Sequence, residues 1–217
     1  MSLKLIGASL SPFVRKVRVT LLEKGLNYEH DPMFPVGVSD EYKQLHPQGK
    51  IPTLTDGDRV IPDSSAICAY LEKLQPEPAL YPSDAYEYAR AIWHEEFADS
   101  GLINGTVVPF QERVLAKAFF QRECDEEKVE RALTATLPPL FDYLEKTLGD
   151  DDFLVGNRFS IADIGTTSQF VNFAHGRGEI DAARWPSLAA YVERVKTRPS
   201  FKTVIEEEQA ALAAMAG

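Results

Sequence analysis

The sequence predicts a small α/β domain followed by an all-α domain, and three features carry that prediction. Strand and helix patterns alternate over the first 75 residues, a proline-rich stretch without periodicity follows, and only helical periodicities remain beyond it. The boundaries this sets are 1–75 for the first domain, 76–83 for a linker and 84–217 for the helical domain.

Leu3–Ile6 is a short, largely apolar run closed by Gly7, the pattern of a buried strand. Ser11 precedes Pro12, a helix cap followed by proline at the first helical position, where a missing N–H costs nothing. Val14, Val17, Arg18, Leu21 and Leu22 recur at helical spacing, with Arg18 the polar member of that face, and Gly25 supplies the stop. Asn27–Met33 reads as a second strand and Asp40–Leu45 as a short helix ahead of His46-Pro47. Pro52–Thr55 and Arg59–Ile61 flank Asp56-Gly57-Asp58, a hairpin signal. Ser64 or Ser65 opens the next helix, with Ile67, Tyr70, Leu71 and Leu74 on its apolar face.

The linker segment Gln75–Ser83 holds three prolines. Helices are then expected over Asp84–Asp99, Glu126–Leu148, Ile161–Ala174 and Pro186–Arg198. In the second of these, Val129, Leu133, Leu137, Leu140, Phe141, Leu144 and Leu148 share a face, and Pro138-Pro139 should kink it. Ser160-Ile161-Ala162-Asp163 fits a capping box with Asp in the place of Glu.

Composition narrows the partners. The 217 residues are 44% hydrophobic and 26% charged, inside the globular range. Thirty-three acidic residues against 23 basic ones give a formal net charge of −10, which disfavours nucleic acid or an anionic membrane as partner. Cys68 and Cys124 form neither a disulfide framework nor a metal spacing and suit a reducing compartment. No run approaches the roughly 20 apolar residues of a membrane span. The expectation is a soluble cytoplasmic protein with no metal, nucleic-acid or membrane partner.

Taken singly, the candidate site residues have ordinary explanations: Ser11 as a helix cap, Pro52 as a strand-entry proline, Asp63-Ser64 as another cap. No Ser-His-Asp order, HExxH, GxxxxGK[ST] or GxGxxG is present, and His30, His46, His94 and His175 do not fall at metal spacing. Together the signals are more pointed. A helix N-terminus just after the first strand favours an anion, and Ser11 stands there with a hydroxyl. A second helix start at Asp63-Ser64-Ser65 offers N–H groups to a carboxylate, while Asp63 offers a charge to an ammonium group. Lys50 adds a cation beside Ile51-Pro52. A ligand with a thiolate, two carboxylates and an amine matches that set, and glutathione has those groups.

Ser11-Pro12-Phe13-Val14-Arg15-Lys16-Val17-Arg18, Gly49-Lys50-Ile51-Pro52-Thr53-Leu54 and Asp63-Ser64-Ser65-Ala66-Ile67 resemble, in order, the three glutathione-site segments of cytosolic glutathione transferases. Phe159-Ser160-Ile161-Ala162-Asp163-Ile164 resembles the capping motif of that family's helical domain. Each alone is weak; four in register span both domains. The likeness is to serine-type members, bacterial-like or tau- or zeta-like. It implies a thioredoxin-like first domain that binds glutathione and a helical second domain that lines the electrophile site.

The resemblance also implies roles. Ser11 would be catalytic, donating a hydrogen bond to the glutathione sulfur. Ile51 and Pro52, a proline the family keeps cis, would lie along the cysteinyl unit, with Ile51 pairing its backbone. Asp63 and Ser64 would hold the γ-glutamyl end and Lys50 the glycyl carboxylate. Redox classes of the family carry Cys where Ser11 stands, so thiol transfer is not the chemistry implied. Leu10, Phe13, Phe34, Phe97 and Phe110 are candidates to line the site of a small hydrophobic electrophile, against ordinary core packing as the alternative. The implied activity is transfer of an alkyl or aryl group to glutathione in detoxification, with peroxidase or isomerase side activity, by a cytoplasmic homodimer. The alternative is a family-like ligand-binding or regulatory protein without turnover, since fold alone does not decide activity.

Overall fold

Strand β1 (Leu3–Ile6) runs parallel to β2 (Glu29–Asp31) and antiparallel to β3 (Thr53–Asp56), which pairs in turn with β4 (Arg59–Pro62). The sheet order is therefore β2-β1-β3-β4. Strand β2 is shorter than the expected Asn27–Met33, pairing with β1 only through Lys4, Leu5 and Ile6. Asp56 sits opposite Arg59, leaving Gly57-Asp58 as a two-residue turn in which Gly57 takes a φ of 58°. This computed structural model describes residues 2–34 and 36–216, and the chain divides into two compact units, Met1–Leu80 and Tyr81–Gly217.

In the first unit α1 (Pro12–Glu23) and α3 (Ser64–Leu74) pack together, with the short α2 (Asp40–Leu45) between β2 and β3 in sequence. Val14, Val17, Leu21, Ile67 and Leu71 form its core with Leu5 and Leu54 of the sheet. Helix α1 ends as its glycine predicts: Gly25 N–H donates to the Leu22 carbonyl at 3.1 Å and Leu26 N–H to that of Leu21 at 2.9 Å. Its buried face differs from the simple stripe. Leu22 is exposed, whereas Arg15, Lys16 and Thr20 are buried, since α3 covers a further side of the helix.

The second unit is helical. Helix α4 (Ala85–Glu96) continues through a π-helical turn at Phe97–Leu102 into α5 (Ile103–Phe110), and through another at Gln111–Leu115 into α6 (Ala116–Ala118). Helix α7 (Glu126–Arg131) passes by a third π turn, Ala132–Thr136, into α8 (Leu137–Leu148). The distortion expected at Pro138-Pro139 thus falls one turn earlier. Neither proline nitrogen can donate to the carbonyls of residues 134 and 135, and the helix widens there. Helices α9 (Ile161–His175), α10 (Pro186–Lys196) and α11 (Pro199–Ala216) complete the unit.

Helix α9 is the axis of this unit, buried from Ile161 to Phe173 and packed against α4, α5 and α10. Phe141, Phe170, Phe173 and Trp185 form a ring cluster with centroids 5.1–6.4 Å apart. At Gly105 an added Cβ would lie 2.5 Å from Leu137, so α5 approaches α8 only because that residue is glycine. The capping box at the start of α9 is present: Ser160 Oγ accepts from Ala162 N–H at 3.3 Å and Asp163 Oδ2 from Ser160 N–H at 2.8 Å. Among the described residues, no helix is long and apolar enough to cross a membrane.

Two buried polar groups cost the helical unit stability on acidification. Glu112 is held by Arg122, by Lys128 Nζ at 2.8 Å and by Asp125 N–H at 3.3 Å; its carboxyl pKa falls to about 2, chiefly through Arg122. His94 on α4 accepts from the Arg90 guanidinium at 3.0 Å and stacks on Tyr143, and burial, then Arg90, lowers its pKa to about 4. An unfolded histidine titrates near 6.5, so between pH 6.5 and 4 the unfolded chain binds more protons at this site. Stability from His94 is therefore present above pH 6.5 and lost on acidification, by about 3 kcal/mol in full. We predict that His94→Gln gains stability relative to wild type as pH falls from 6.5 to 4, by about 3 kcal/mol in full, as read by urea midpoints. A profile identical to wild type would assign the acid response elsewhere.

Candidate active site

The loop from β1 into α1 places Ser11 where a helix start is electron-poor. Ser11 is half-buried and caps α1, its Oγ accepting from Val14 N–H at a long 3.4 Å. A hydroxyl has one donor and two acceptor positions, and capping uses only an acceptor, so the O–H remains able to donate. Gly7 just ahead has φ 151°, and an added Cβ there would lie 2.6 Å from Val14 Cγ2 and 3.1 Å from Ile51 Cβ. The end of β1, the first turn of α1 and Ile51 therefore meet at one glycine.

Ile51-Pro52 is a cis peptide, and Ile51 lies ahead of the first ladder residue of β3, Thr53, which pairs with Ile6. Tyr42 on α2 fixes this segment: its hydroxyl donates to the Lys50 carbonyl at 2.7 Å and lies 3.0 Å from Thr53 Oγ1. Lys50 itself is exposed. Pro52 then reaches the third segment, its carbonyl accepting from Asp63 N–H at 3.3 Å. Asp63 takes a φ of 75°, unusual for a non-glycine residue, and caps α3 through Oδ1, which accepts from Ser65 N–H at 2.8 Å and Ala66 N–H at 3.2 Å. Asp63 is exposed and Ser64 is buried behind it. All six residues singled out for glutathione thus belong to three segments that touch within the first unit.

Tyr42, Gly7 and His30, whose Nε2 lies 2.9 Å from the Gly7 carbonyl, position these segments without having been singled out from sequence. Their signal is weak: an aromatic in a six-residue helix and a histidine in a three-residue strand. The five apolar candidates divide. Leu10 and Phe110 are buried, and Phe110 packs on His175 with ring centroids 6.2 Å apart. Phe13 and Phe97 are half-buried, and Phe97 lies 5.0 Å from the Tyr143 ring. Phe34 is 38% exposed. Among the described residues, no group of three or more His, Cys, Asp and Glu side chains is arranged to hold a metal ion.

Known proteins resemble this chain in sequence and in fold. The family model for the glutathione S-transferase N-terminal domain matches residues 5–79, and that for the C-terminal domain matches residues 111–208. The chain is 31% identical to glutathione S-transferase Z2 of Arabidopsis thaliana, over 95% of this chain and 92% of that one. It is 28% identical to maleylacetoacetate isomerase of Pseudomonas aeruginosa, over 86% and 88% of the two chains. A solved glutathione S-transferase from Rhodospirillum rubrum F11 superposes with a TM-score of 0.82 at 26% identity, covering 93% of this chain and 91% of the other.

Proposed function

The chain belongs to the glutathione S-transferase family, and on that premise we propose that Ser11 keeps bound glutathione ionised for attack on a small hydrophobic electrophile. The observation that carries this reading is the free donor capacity of Ser11 at the start of α1, beside the Ile51-Pro52 segment. The residues present fit the tripeptide. The α1 start and the Ser11 hydroxyl suit the sulfur, the Ile51 backbone suits the cysteinyl unit, Asp63 and Ser64 suit the γ-glutamyl end, and Lys50 suits the glycyl carboxylate. Domain limits of 1–75 and 84–217, joined by 76–83, belong to the same proposal.

The magnitudes assign the work. A free thiol with pKa about 8.5 is only a few per cent ionised at pH 7; lowering that pKa by roughly two units raises the thiolate some 20-fold. Nucleophilicity falls about 6- to 10-fold at the same time, leaving a net gain of about 2- to 4-fold. Positioning the electrophile must supply the larger part, since effective molarity is worth several kcal/mol. We assign that positioning to the candidates Leu10, Phe13, Phe34, Phe97 and Phe110. Truncating Leu10, Phe13, Phe34, Phe97 or Phe110 to alanine should change the preference among electrophiles by at least about 10-fold, the low end for one buried methylene. A loss of thermal stability with unaltered preference would make them core residues.

Conjugation of an aryl halide, with retention on immobilised glutathione, tests the transferase reading; binding without turnover would support a ligand-binding protein instead. The same protein offered maleylacetoacetate, the substrate named for the Pseudomonas aeruginosa relative, tests glutathione-dependent isomerisation. We further propose a cytoplasmic homodimer acting in detoxification. Exposed apolar side chains on α4, Tyr86 and Trp93 on one side of the helix and Tyr88 and Ile92 on another, support self-association. A sedimentation mass near 24.2 kDa rather than twice that would remove the dimer.

A further inference from the structure

The turn that ends α9 carries an arginine where its backbone calls for glycine. Gly178 N–H donates to the Phe173 carbonyl at 2.8 Å and Arg177 N–H to that of Ala174 at 2.9 Å, the two bonds of a Schellman cap. Helix α1 ends on the same pair of bonds, with Gly25 at the left-handed position, φ 64°. In α9 that position, φ 59°, belongs to Arg177. Glycines flank it for a different reason. A Cβ at Gly176 would lie 2.2 Å from the main-chain nitrogen of Phe110, and one at Gly178 would lie 2.2 Å from the Phe173 ring. Arg113 Nη1 holds the turn, donating to the carbonyls of Gly176 and Arg177 at 3.2 and 3.3 Å.

Left-handed backbone is easy for glycine and strained for a long side chain, so Arg177 stands where glycine would relieve the fold. Its exposed side chain makes no hydrogen bond or ion pair with any described residue. It lines a cavity of about 560 Å³ between the end of α9 and α10, a volume within the range of small-molecule sites. Buried Phe170, Phe173 and Val192 and half-buried Ile180 supply apolar wall. Glu193 and Lys196, also at the cavity, neutralise each other at 2.7 Å. That leaves Arg177 and Glu179 as its two charges without a partner among the described residues. They are opposite in sign and two residues apart, yet they do not pair with each other. None of these residues is among those assigned to glutathione or to its electrophile.

We propose that this cavity in the helical unit is a second ligand site, which takes an α-amino acid with an apolar side chain. Such a molecule brings a carboxylate to Arg177, an ammonium group to Glu179 and an apolar body to the wall that Phe173 and Val192 form. An apolar acid without the amine leaves Glu179 unmatched, and an apolar amine without the acid leaves Arg177 unmatched. The strain at Arg177 then has a use: it keeps a guanidinium at the cavity in a turn where glycine would leave none.

The probe is L-phenylalanine, titrated into the whole protein by calorimetry. Saturable binding is expected with a dissociation constant on the order of 1 mM, in keeping with a ligand of about a dozen heavy atoms. 3-Phenylpropionate lacks the ammonium group and phenethylamine lacks the carboxylate. Each should bind about tenfold more weakly, the low end for a hydrogen bond to a charged group. Arg177→Gln and Glu179→Gln should each weaken phenylalanine by a similar factor. Arg177→Gln should leave phenethylamine within about twofold, and Glu179→Gln should do the same for 3-phenylpropionate, because each ligand lacks the group that the variant would fail to hold. Arg177→Gly should lose the same affinity for phenylalanine while melting no lower than wild type, since glycine suits the backbone there. No saturation by phenylalanine, or equal binding of the three ligands, overturns the proposal. So does an Arg177→Gly protein that melts well below wild type, because the arginine would then serve the fold. Phenylalanine held elsewhere, as at the position assigned to the γ-glutamyl group, would survive both glutamine substitutions, and that result likewise overturns it.

Discussion

Replacing Ser11 with alanine is expected to lower turnover at pH 7 by about tenfold while changing glutathione affinity less than about threefold. Affinity survives because the tripeptide is assigned several anchors, Lys50, Ile51, Asp63 and Ser64 among them. Turnover falls because Ser11 is the residue at the α1 start with a hydroxyl free to donate. Ionisation accounts for about 2- to 4-fold of the loss, and loosened placement of the sulfur for the rest. The pH dependence separates the two. Above about pH 8.5 the thiol ionises without help, and its thiolate is then about 6- to 10-fold more nucleophilic, so the deficit of the variant should shrink. An unchanged thiolate fraction in Ser11→Ala, read from the ultraviolet absorbance of bound glutathione, would deny Ser11 this role.

The other large effect concerns folding. Asp163 is fully buried and accepts from Leu154 N–H at 3.0 Å, Ser160 N–H at 2.8 Å, Ser160 Oγ at 3.2 Å and the Tyr191 hydroxyl at 3.0 Å. Alanine there would strand these donors in the core and remove half of the capping box, at a cost of about 3–5 kcal/mol in unfolding free energy. Asparagine, which keeps one carbonyl acceptor, should cost roughly half as much. Burial raises the Asp163 pKa to about 6, outweighing the hydrogen bonds that favour the carboxylate. The folded state thus holds this proton to higher pH than the unfolded chain, whose carboxyl has the ordinary value of 3.8. Stability from Asp163 is full below about pH 4 and is lost as pH rises through 6, the reverse of His94. Wild type should show a nearly flat profile between pH 4 and 6, and Asp163→Asn should expose the acid loss due to His94. Urea titrations at the two pH values check both; an Asp163→Ala loss below 1 kcal/mol would mean the cap is dispensable.

Local chemistry decided what was legible beforehand. Ser11-Pro12, Gly25, the Asp56-Gly57-Asp58 turn, the Asp63 cap and the Ser160–Asp163 box each follow from the steric or hydrogen-bonding needs of one turn. What escaped depends on partners distant in the chain. Lys16 and Arg15 occupy positions that helical spacing leaves polar, yet α3 buries that side of α1. Tyr42 acquires its role only when the Lys50 carbonyl is brought to its hydroxyl. The π turns after α4 and α5 carry no local signature, and only the one at Ala132–Thr136 was announced, by the prolines beyond it. Helix α11 hid in an alanine-rich tail of low pattern contrast.

The proposed function requires that a thiol placed at the start of α1 be ionised below its ordinary range. Titrating the ultraviolet thiolate absorbance of glutathione bound to the folded wild-type protein measures this directly. A midpoint near pH 6.5, about two units below the free thiol, is the result expected. A midpoint near 8.5, or no bound glutathione at all, would contradict it.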